Sequence, residues 1–445
     1  MTRMSWLLAH PQILEQGLVL RTATSADIDA LVAFNGAVHT YTPDGSPSQR
    51  IMTRVREWLD GSHPLIGPDD FLLVQDTASG QIVSSVAVLR QQWAFADIPF
   101  SVAQTEFVGT LPAYRRGGLV RTQMEVVHRA SAAAGDLVQA INGIGWYYRQ
   151  FGYALTLPIQ GGRAMPASAV PTLAEGVSEP YSIRPATPDD LPFLMEVERQ
   201  AQSRSLYALQ RTAAYWQHEV FELGELNIFW RHWHVIQTPA GEPIGYLAHV
   251  HRPSQPRRWL TTLEVVAGVS WLAVVPVALR HLRALEGAVP AETLGIAGGL
   301  EHPAYAIFPP SLTLTDPPHA WYIRIPDEIA FLRHIAPALE RRLAASVAVG
   351  YTGELLVNRY RAGIRLRFEQ GKIAEVVTWA DADARAVTVA SAAFPDETFT
   401  HLLCGTRSLA ELEAHYPDCE VANEEAYVVL NALFPKAPST VWVMG

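Results

Sequence analysis

Residues with chemical potential crowd into one stretch of this sequence, between Glu106 and Tyr153. The run Glu106-Phe107-Val108-Gly109-Thr110 passes through Pro112 into Arg115-Arg116-Gly117-Gly118-Leu119-Val120, with Arg121 next. Arginine and glycine mixed at that spacing suit a phosphate group. Backbone N–H groups of a glycine-containing turn converge there with the positive end of the helix they open. Arginines at the same corner add charge-assisted hydrogen bonds. A pyrophosphate held largely by main chain is the ligand this corner fits. An aromatic run, Tyr147-Tyr148-Arg149-Gln150-Phe151-Gly152-Tyr153, closes the stretch.

Such residues need elements to position them. Residues 106–110 read as a strand, 119–134 as a helix opened by the basic loop, and 137–141 as the following strand. Upstream, 18–21 reads as a strand. A helix follows with Ser25 as its N-cap and Ile28, Leu31, Val32 and Phe34 at helical spacing. Strands at 71–75 and 82–89 are joined by the turn-rich loop 76–80. This order predicts an α+β fold built on a mixed sheet flanked by helices.

The opening then repeats. After a Pro/Ala/Ser/Glu-rich linker, Tyr181-Ser182-Ile183-Arg184-Pro185-Ala186-Thr187 echoes Leu18-Val19-Leu20-Arg21-Thr22-Ala23-Thr24, which points to an internal duplication. The second copy has its central strand at 260–266 and its helix at 276–286. Its turn, Ala267-Gly268-Val269-Ser270-Trp271, has no arginine, so this copy is expected to have lost the phosphate site. Beyond a second proline-rich break come an amphipathic helix at 327–343, kinked or broken near Pro337, and strands at 353–357, 363–369 and 373–379. Helices at 396–403, 408–416 and 424–434 end the chain, with Ser408 and Glu411 as a capping box. The expected division is 1–165, a linker 166–180, 181–308, a linker 309–320, and 321–445.

Composition narrows the function classes. With 445 residues, 49% hydrophobic and 18% charged, the chain is long enough for about three globular domains. A formal charge of −10 argues against a nucleic-acid partner and suits cationic substrates. The longest apolar run, 265–279, is broken by Gly268, Ser270 and Pro276 and falls short of the ~20 residues that span a bilayer, so no membrane partner is expected. The apolar run near the N-terminus is too brief for a signal peptide, and Cys404 and Cys419 lack metal-ligand spacing, so a cytoplasmic location is expected. His232 with His234, and His249 with His251, alternate on strand-like segments, but no cysteine or carboxylate completes a set. They are read as structural, and no metal is expected. His128 is read as a surface or packing residue; His39, Trp93 and Phe95 line an acceptor pocket or belong to the core.

The spacing Pro112-x-x-Arg115-x-x-Gly118, with Leu119 at the helix start, resembles motif A of the GNAT acetyltransferases, whose loop grips the pyrophosphate of acetyl-CoA. Val120 stands where that motif usually has Gly or Ala. The run from Tyr147 to Tyr153 resembles the second GNAT signature. The resemblance implies acetyl-CoA as co-substrate, held at its pyrophosphate by Arg115, Arg116, Gly117, Gly118, Leu119, Val120 and Arg121. Val108, Gly109 and Thr110 would pair with the pantetheine arm and polarise the thioester carbonyl. Asn142 would bind the pantetheine amides or merely cap a turn. Tyr148 would protonate the departing thiolate, or else be a core aromatic.

Over the whole chain the resemblance is to the enhanced-intracellular-survival (Eis-like) acetyltransferases: an active GNAT domain, a degenerate second one and a sterol-carrier-protein-like third domain. It rests on Arg115-Arg116-x-Gly118-Leu119-x-Arg121, Phe151-Gly152-Tyr153, the silent repeat and the helix–meander–helix end. It implies a homo-oligomer, hexameric in known members, and a general base that is the chain's terminal carboxylate, here that of Gly445. The tail Val441-Trp442-Val443-Met444-Gly445 departs from the family's Asp-x-Phe-like ending; either it frays or its apolar residues bury. Glu106 is the alternative base, while Gln104 on the same strand face cannot take a proton. The implied activity is direct acetyl transfer to a primary amine: an aminoglycoside-like or polyamine-like small molecule, or a protein lysine. A non-catalytic CoA-binding scaffold and a lipid-carrying third domain are the alternatives.

Overall fold

The computed structural model describes residues 6–40, 42, 44–250, 254–360, 362–380 and 389–443. Among these residues no helix is long and apolar enough to cross a membrane. The first part of the chain runs β1 (Gln12–Ile13), β2 (Leu18–Thr22), α1 (Ile28–Val38), α2 (Gln49–Leu59), β3 (Phe71–Asp76), β4 (Ile82–Phe95), β5 (Ile98–Thr110), α3 (Leu119–Ala133), β6 (Val138–Ile141) and β7 (Ala154–Ile159). Its spine is the β4–β5 hairpin. Eight consecutive residues of β4, Ile82 to Leu89, are buried on both faces, which is the pattern of a central strand with helices on either side. The hairpin extends well past the expected strand 82–89 and reverses at Ala96 and Asp97, both at positive φ.

The second part runs β8 (Gly162–Pro166), β9 (Ser182–Pro185), α4 (Leu191–Gln202), β10 (Tyr207–Gln210), α5 (Ala213–Gln217), β11 (His232–Gln237), β12 (Pro243–His249), β13 (Arg257–Val265), α6 (Trp271–Ala284) and β14 (Thr293–Ile296). The last part runs β15 (Leu314–Asp316), β16 (His319–Arg324), α7 (Glu328–Ala344), β17 (Gly353–Asn358), β18 (Gly363–Glu369), β19 (Lys372–Thr378), β20 (Ala392–Ala393), α8 (Thr398–Leu403), α9 (Leu409–His415), β21 (Glu420–Val421) and α10 (Glu424–Leu433). Three sheets result: β1-β2-β3-β4-β5-β6-β16-β7 with β10 paired to β4, β15-β8-β14-β13-β12-β11-β9, and β19-β18-β17-β20-β21.

The first two sheets exchange strands across the boundaries expected from sequence. β8, preceding the expected linker, joins the second sheet beside β14. β16, following the second copy, inserts between β6 and β7 of the first sheet. The two crossings meet where Gly161 packs against Pro318. Residues 309–320 are therefore not only a linker. Short β16, with Trp321, Tyr322 and Ile323 buried in succession, carried no signal of its distant partners.

The two echoed segments have the same hydrogen-bonded corner. Arg21 forms two hydrogen bonds to Asp27, at 2.8 and 2.6 Å, and a third to Gln75. Arg184 does the same with Asp190, at 2.7 Å twice, and Gln237. In each copy the carboxylate also accepts from the backbone N–H and hydroxyl of a threonine, Thr24 or Thr187, which closes the entry to the helix. The cap is thus Thr24 and not Ser25, because Asp27 is in place to answer it. In the third unit α7 runs unbroken through Pro337, while the Ser408–Glu411 capping box forms as expected. Phe331 of α7 packs on Phe95 and Phe100, joining this unit to the first through one continuous core.

Candidate active site

β5 and β6 are parallel neighbours only from Val102↔Val138 to Thr105↔Ile141. β5 continues to Thr110, so the two strands part. The register with β4 slips between Ser85 and Ala87, which leaves Phe107 and Val108 bulged against a single partner. Phe107 takes up the extra residue at φ 51, an uncommon conformation for a bulky side chain. The bulge and the parting strands make a wedge, with Glu106, Tyr148 and the 115–121 loop around it.

Glu106 lies at the root of the wedge, with a side chain 11% exposed. Gln91 donates a hydrogen bond to Gln104, and Gln104 donates one of 2.7 Å to the Glu106 carboxylate. Arg54 of α2 approaches the other carboxylate oxygen at 3.7 Å. Burial raises the Glu106 pKa above its ordinary value, and Arg54 and Gln104 partly offset that. Arg54 is itself sandwiched among Trp58, Phe107 and Phe229 at 4.5, 4.9 and 4.5 Å. Sequence reasoning missed Arg54. Its signal was present, since it falls on the apolar stripe Ile51, Val55, Trp58, where a charge needs a partner. His39, at the end of α1, lies against Gly109; a Cβ at that glycine would sit 3.1 Å from its Nε2. That nitrogen is buried with no hydrogen-bond partner among the described residues, and burial lowers the His39 pKa.

On the wedge's other wall, Tyr148 lies in a 3-10 turn spanning Tyr147–Phe151 and is buried among Tyr147, Phe151, Tyr153 and Tyr322. Burial above all, then neighbouring phenols and Glu106, push its pKa well up, so the hydroxyl stays protonated at neutral pH. Gly143 lies directly beneath the ring: an added Cβ would stand 2.5 Å from Tyr148 Cε2. Asn142 is exposed one residue past the end of β6.

At the mouth, Gly118 occupies the N-cap of α3 at φ 77, and Arg116 is also left-handed at φ 68. Arg116, Gly117 and Gly118 are exposed at the positive end of a fifteen-residue helix, while Leu119 is buried beneath them and Val120 half-buried. Arg115 folds back to donate 3.1 Å to the Thr110 carbonyl, tying the loop to the end of β5. Arg121 donates 2.8 Å to Gln150 and lies 5.2 Å over Phe151, tying the helix to the aromatic turn. The exposed Arg116–Gly118 turn at the start of α3 thus has the geometry to hold an anion.

An acetyltransferase (GNAT) domain family matches residues 19–156. These residues are a GNAT acetyltransferase domain. A GCN5-related N-acetyltransferase from Anabaena variabilis ATCC 29413 is similar in fold at TM-score 0.67 and 14% identity, over 96% of this chain and 99% of its own. A probable N-acyltransferase from Enterococcus faecalis V583 is similar at 0.70 and 13%, over 95% and 98%. Eis1 from Mycobacterium abscessus is similar at 0.62 and 14%, over 95% and 98%. The likeness in fold therefore spans all three sheets. No curated protein matches the sequence. The GNAT domain supports an N-acetyltransferase and implies acetyl-CoA as co-substrate.

The remaining expectations fall in two groups. Trp93 and Phe95 are fully buried beside Trp321 and Tyr207 and are core residues. His128 is a packing residue, 3.0 Å from the Tyr153 hydroxyl, its pKa lowered by burial to about 4. Gly445 lies outside the described residues. The tail leading to it is held by contacts to its main chain: Leu206 donates to the Pro438 carbonyl at 2.8 Å, and Trp321 donates to that of Val441 at 3.0 Å. Val441 is buried in the same core as Val102, Phe107 and Ala140, on the face of the sheet that carries Glu106.

Proposed function

We propose that the protein acetylates a primary amine directly from acetyl-CoA, in the manner of Eis-like enzymes. The observation that carries this reading is the bulged, parted β5–β6 wedge with Glu106 and Tyr148 on its two walls and the Arg116–Gly118 cradle at its mouth. The pyrophosphate is held by Arg115, Arg116, Arg121 and the backbone from Gly117 to Val120, and the pantetheine lies along Val108, Gly109 and Thr110 with Asn142 opposite. The acceptor ammonium loses its proton to Glu106 or to the terminal carboxylate of Gly445. The amine attacks the thioester carbon, the tetrahedral intermediate collapses with C–S cleavage, and the Tyr148 hydroxyl protonates the thiolate. A molecule of net charge −10 favours cationic acceptors of the aminoglycoside or polyamine kind. The second GNAT-like unit serves as a silent scaffold and the third, sterol-carrier-like unit as a support for the tail in a homo-oligomer.

Coenzyme A release with a panel of polyamines and aminoglycosides tests the reading. Tyr148→Phe is expected to lower kcat by about 10²-fold or more with the KM for acetyl-CoA little changed. An undiminished rate removes Tyr148 from the mechanism, and no turnover on any amine favours a CoA-binding scaffold. Deletion of Met444 and Gly445 separates the bases. Loss of turnover with cofactor affinity retained assigns the proton to the terminal carboxylate, and full activity assigns it to Glu106.

A further inference from the structure

The second sheet gathers histidines that the acetyl-transfer site does not use. His232 and His249 are directly opposed in the β11–β12 ladder, and His234, two residues along β11, points to the same face. Helix α6 crosses that face and brings His281. One ring nitrogen from each of His234, His249 and His281 lies within 4.8 Å of the others. The His234 ring is stacked on His249 at 5.2 Å and meets His281 at 5.1 Å. His249 is 2% exposed, the other two half-buried. Nδ1 of His234 and Nε2 of His281 are buried without a hydrogen-bond partner among the described residues. A buried donor or acceptor left unsatisfied keeps its full desolvation penalty, so two on facing rings ask for a shared partner.

We propose that His234, His249 and His281 bind a divalent first-row transition metal, with Zn²⁺ the representative ion, and so tie α6 to the β11–β12 hairpin. Imidazole is a borderline ligand that suits Zn, Ni, Cu and Fe. Three histidines leave a fourth position for water or a small anion. A tetrahedral Zn²⁺ with Zn–N bonds of about 2.0–2.1 Å sets its ligand nitrogens about 3.3 Å apart, so on binding the three rings draw together by up to roughly 1.5 Å. His232 stacks on His249 at 4.9 Å and is backed by Trp230 at 4.4 Å, so it is a positioning residue for the His249 ring. The proposal is independent of the acetyl-transfer reading.

The test is calorimetric titration of Zn²⁺ into untagged, full-length, EDTA-treated protein, with Co²⁺ absorption as a second readout. One Zn²⁺ per chain is expected, with the visible bands of four-coordinate Co²⁺. His281→Gln, at the half-buried edge of α6, should weaken binding by at least about 10²-fold, and His232→Ala by about 10–100-fold. His415→Ala, at an exposed histidine outside the cluster, should bind like the parent. Circular dichroism confirms that each variant is folded. Absence of stoichiometric Zn²⁺ binding by the parent, or unchanged binding after joint His234→Gln and His281→Gln substitution, overturns the proposal.

Discussion

At the scale of single residues, Glu106 is set by two opposing effects. Burial favours its neutral form, whereas Arg54 at 3.7 Å and the Gln104 amide favour the carboxylate. Burial wins, so its pKa lies above the usual glutamate value. A base must be ionised to accept a proton, so if Glu106 is the base, kcat/KM rises as pH rises through that raised pKa. The acid limb should then lie above the ordinary glutamate range. Glu106→Gln should abolish this limb and lower the plateau by about 10²-fold, as read from a pH–rate profile. Tyr148 contributes no alkaline limb near neutrality, because its pKa is pushed up. An unchanged acid limb in the Gln variant would transfer the base role to the tail.

At the scale of elements, the turn after β6 is shaped around Tyr148. Gly143 leaves room for the ring, and the 3-10 turn is fixed by Gly152 at φ 82. Gly143→Ala should push the phenol out of line and reduce kcat by about 10²-fold, since a 1 Å misplacement is enough for such a loss. Gly143 is exposed, so the melting temperature should change by only a few degrees. Steady-state kinetics beside a thermal melt would separate these effects. Parental kcat would mean that the ring adjusts without cost.

At the scale of the molecule, the strand exchange makes the first domain dependent on a strand from beyond the second. β16 fills the gap between β6 and β7, and its Trp321 is fully buried against Trp93. Losing that one side chain from a core typically costs about 3–5 kcal/mol, a large share of the stability of a domain. A fragment of residues 1–165 is therefore expected to be aggregated or unfolded by size exclusion and circular dichroism. A soluble, cooperatively melting fragment would show that β6 and β7 can pair without β16. The third unit buries Leu355, Leu366, Phe399 and Leu402 in the core it shares with the first.

Much of the fold and site was legible in the residues themselves. The cradle 115–121, the helix it opens, the aromatic turn and the duplicated Arg/Thr/Asp corner are local patterns, and local sterics and capping chemistry decide them. Tertiary structure decided every feature joining distant segments: the Phe107–Val108 bulge, Arg54 beside Glu106, β16 between β6 and β7, and His281 completing a set with His234 and His249. Periodicity reports which face of an element is buried, and it is silent on the partner that buries it. The glycine–arginine loop 115–121 is determined by sequence alone, because one short segment carries all its groups. The surroundings of Glu106 and the histidine cluster are assembled by packing, which no single segment encodes.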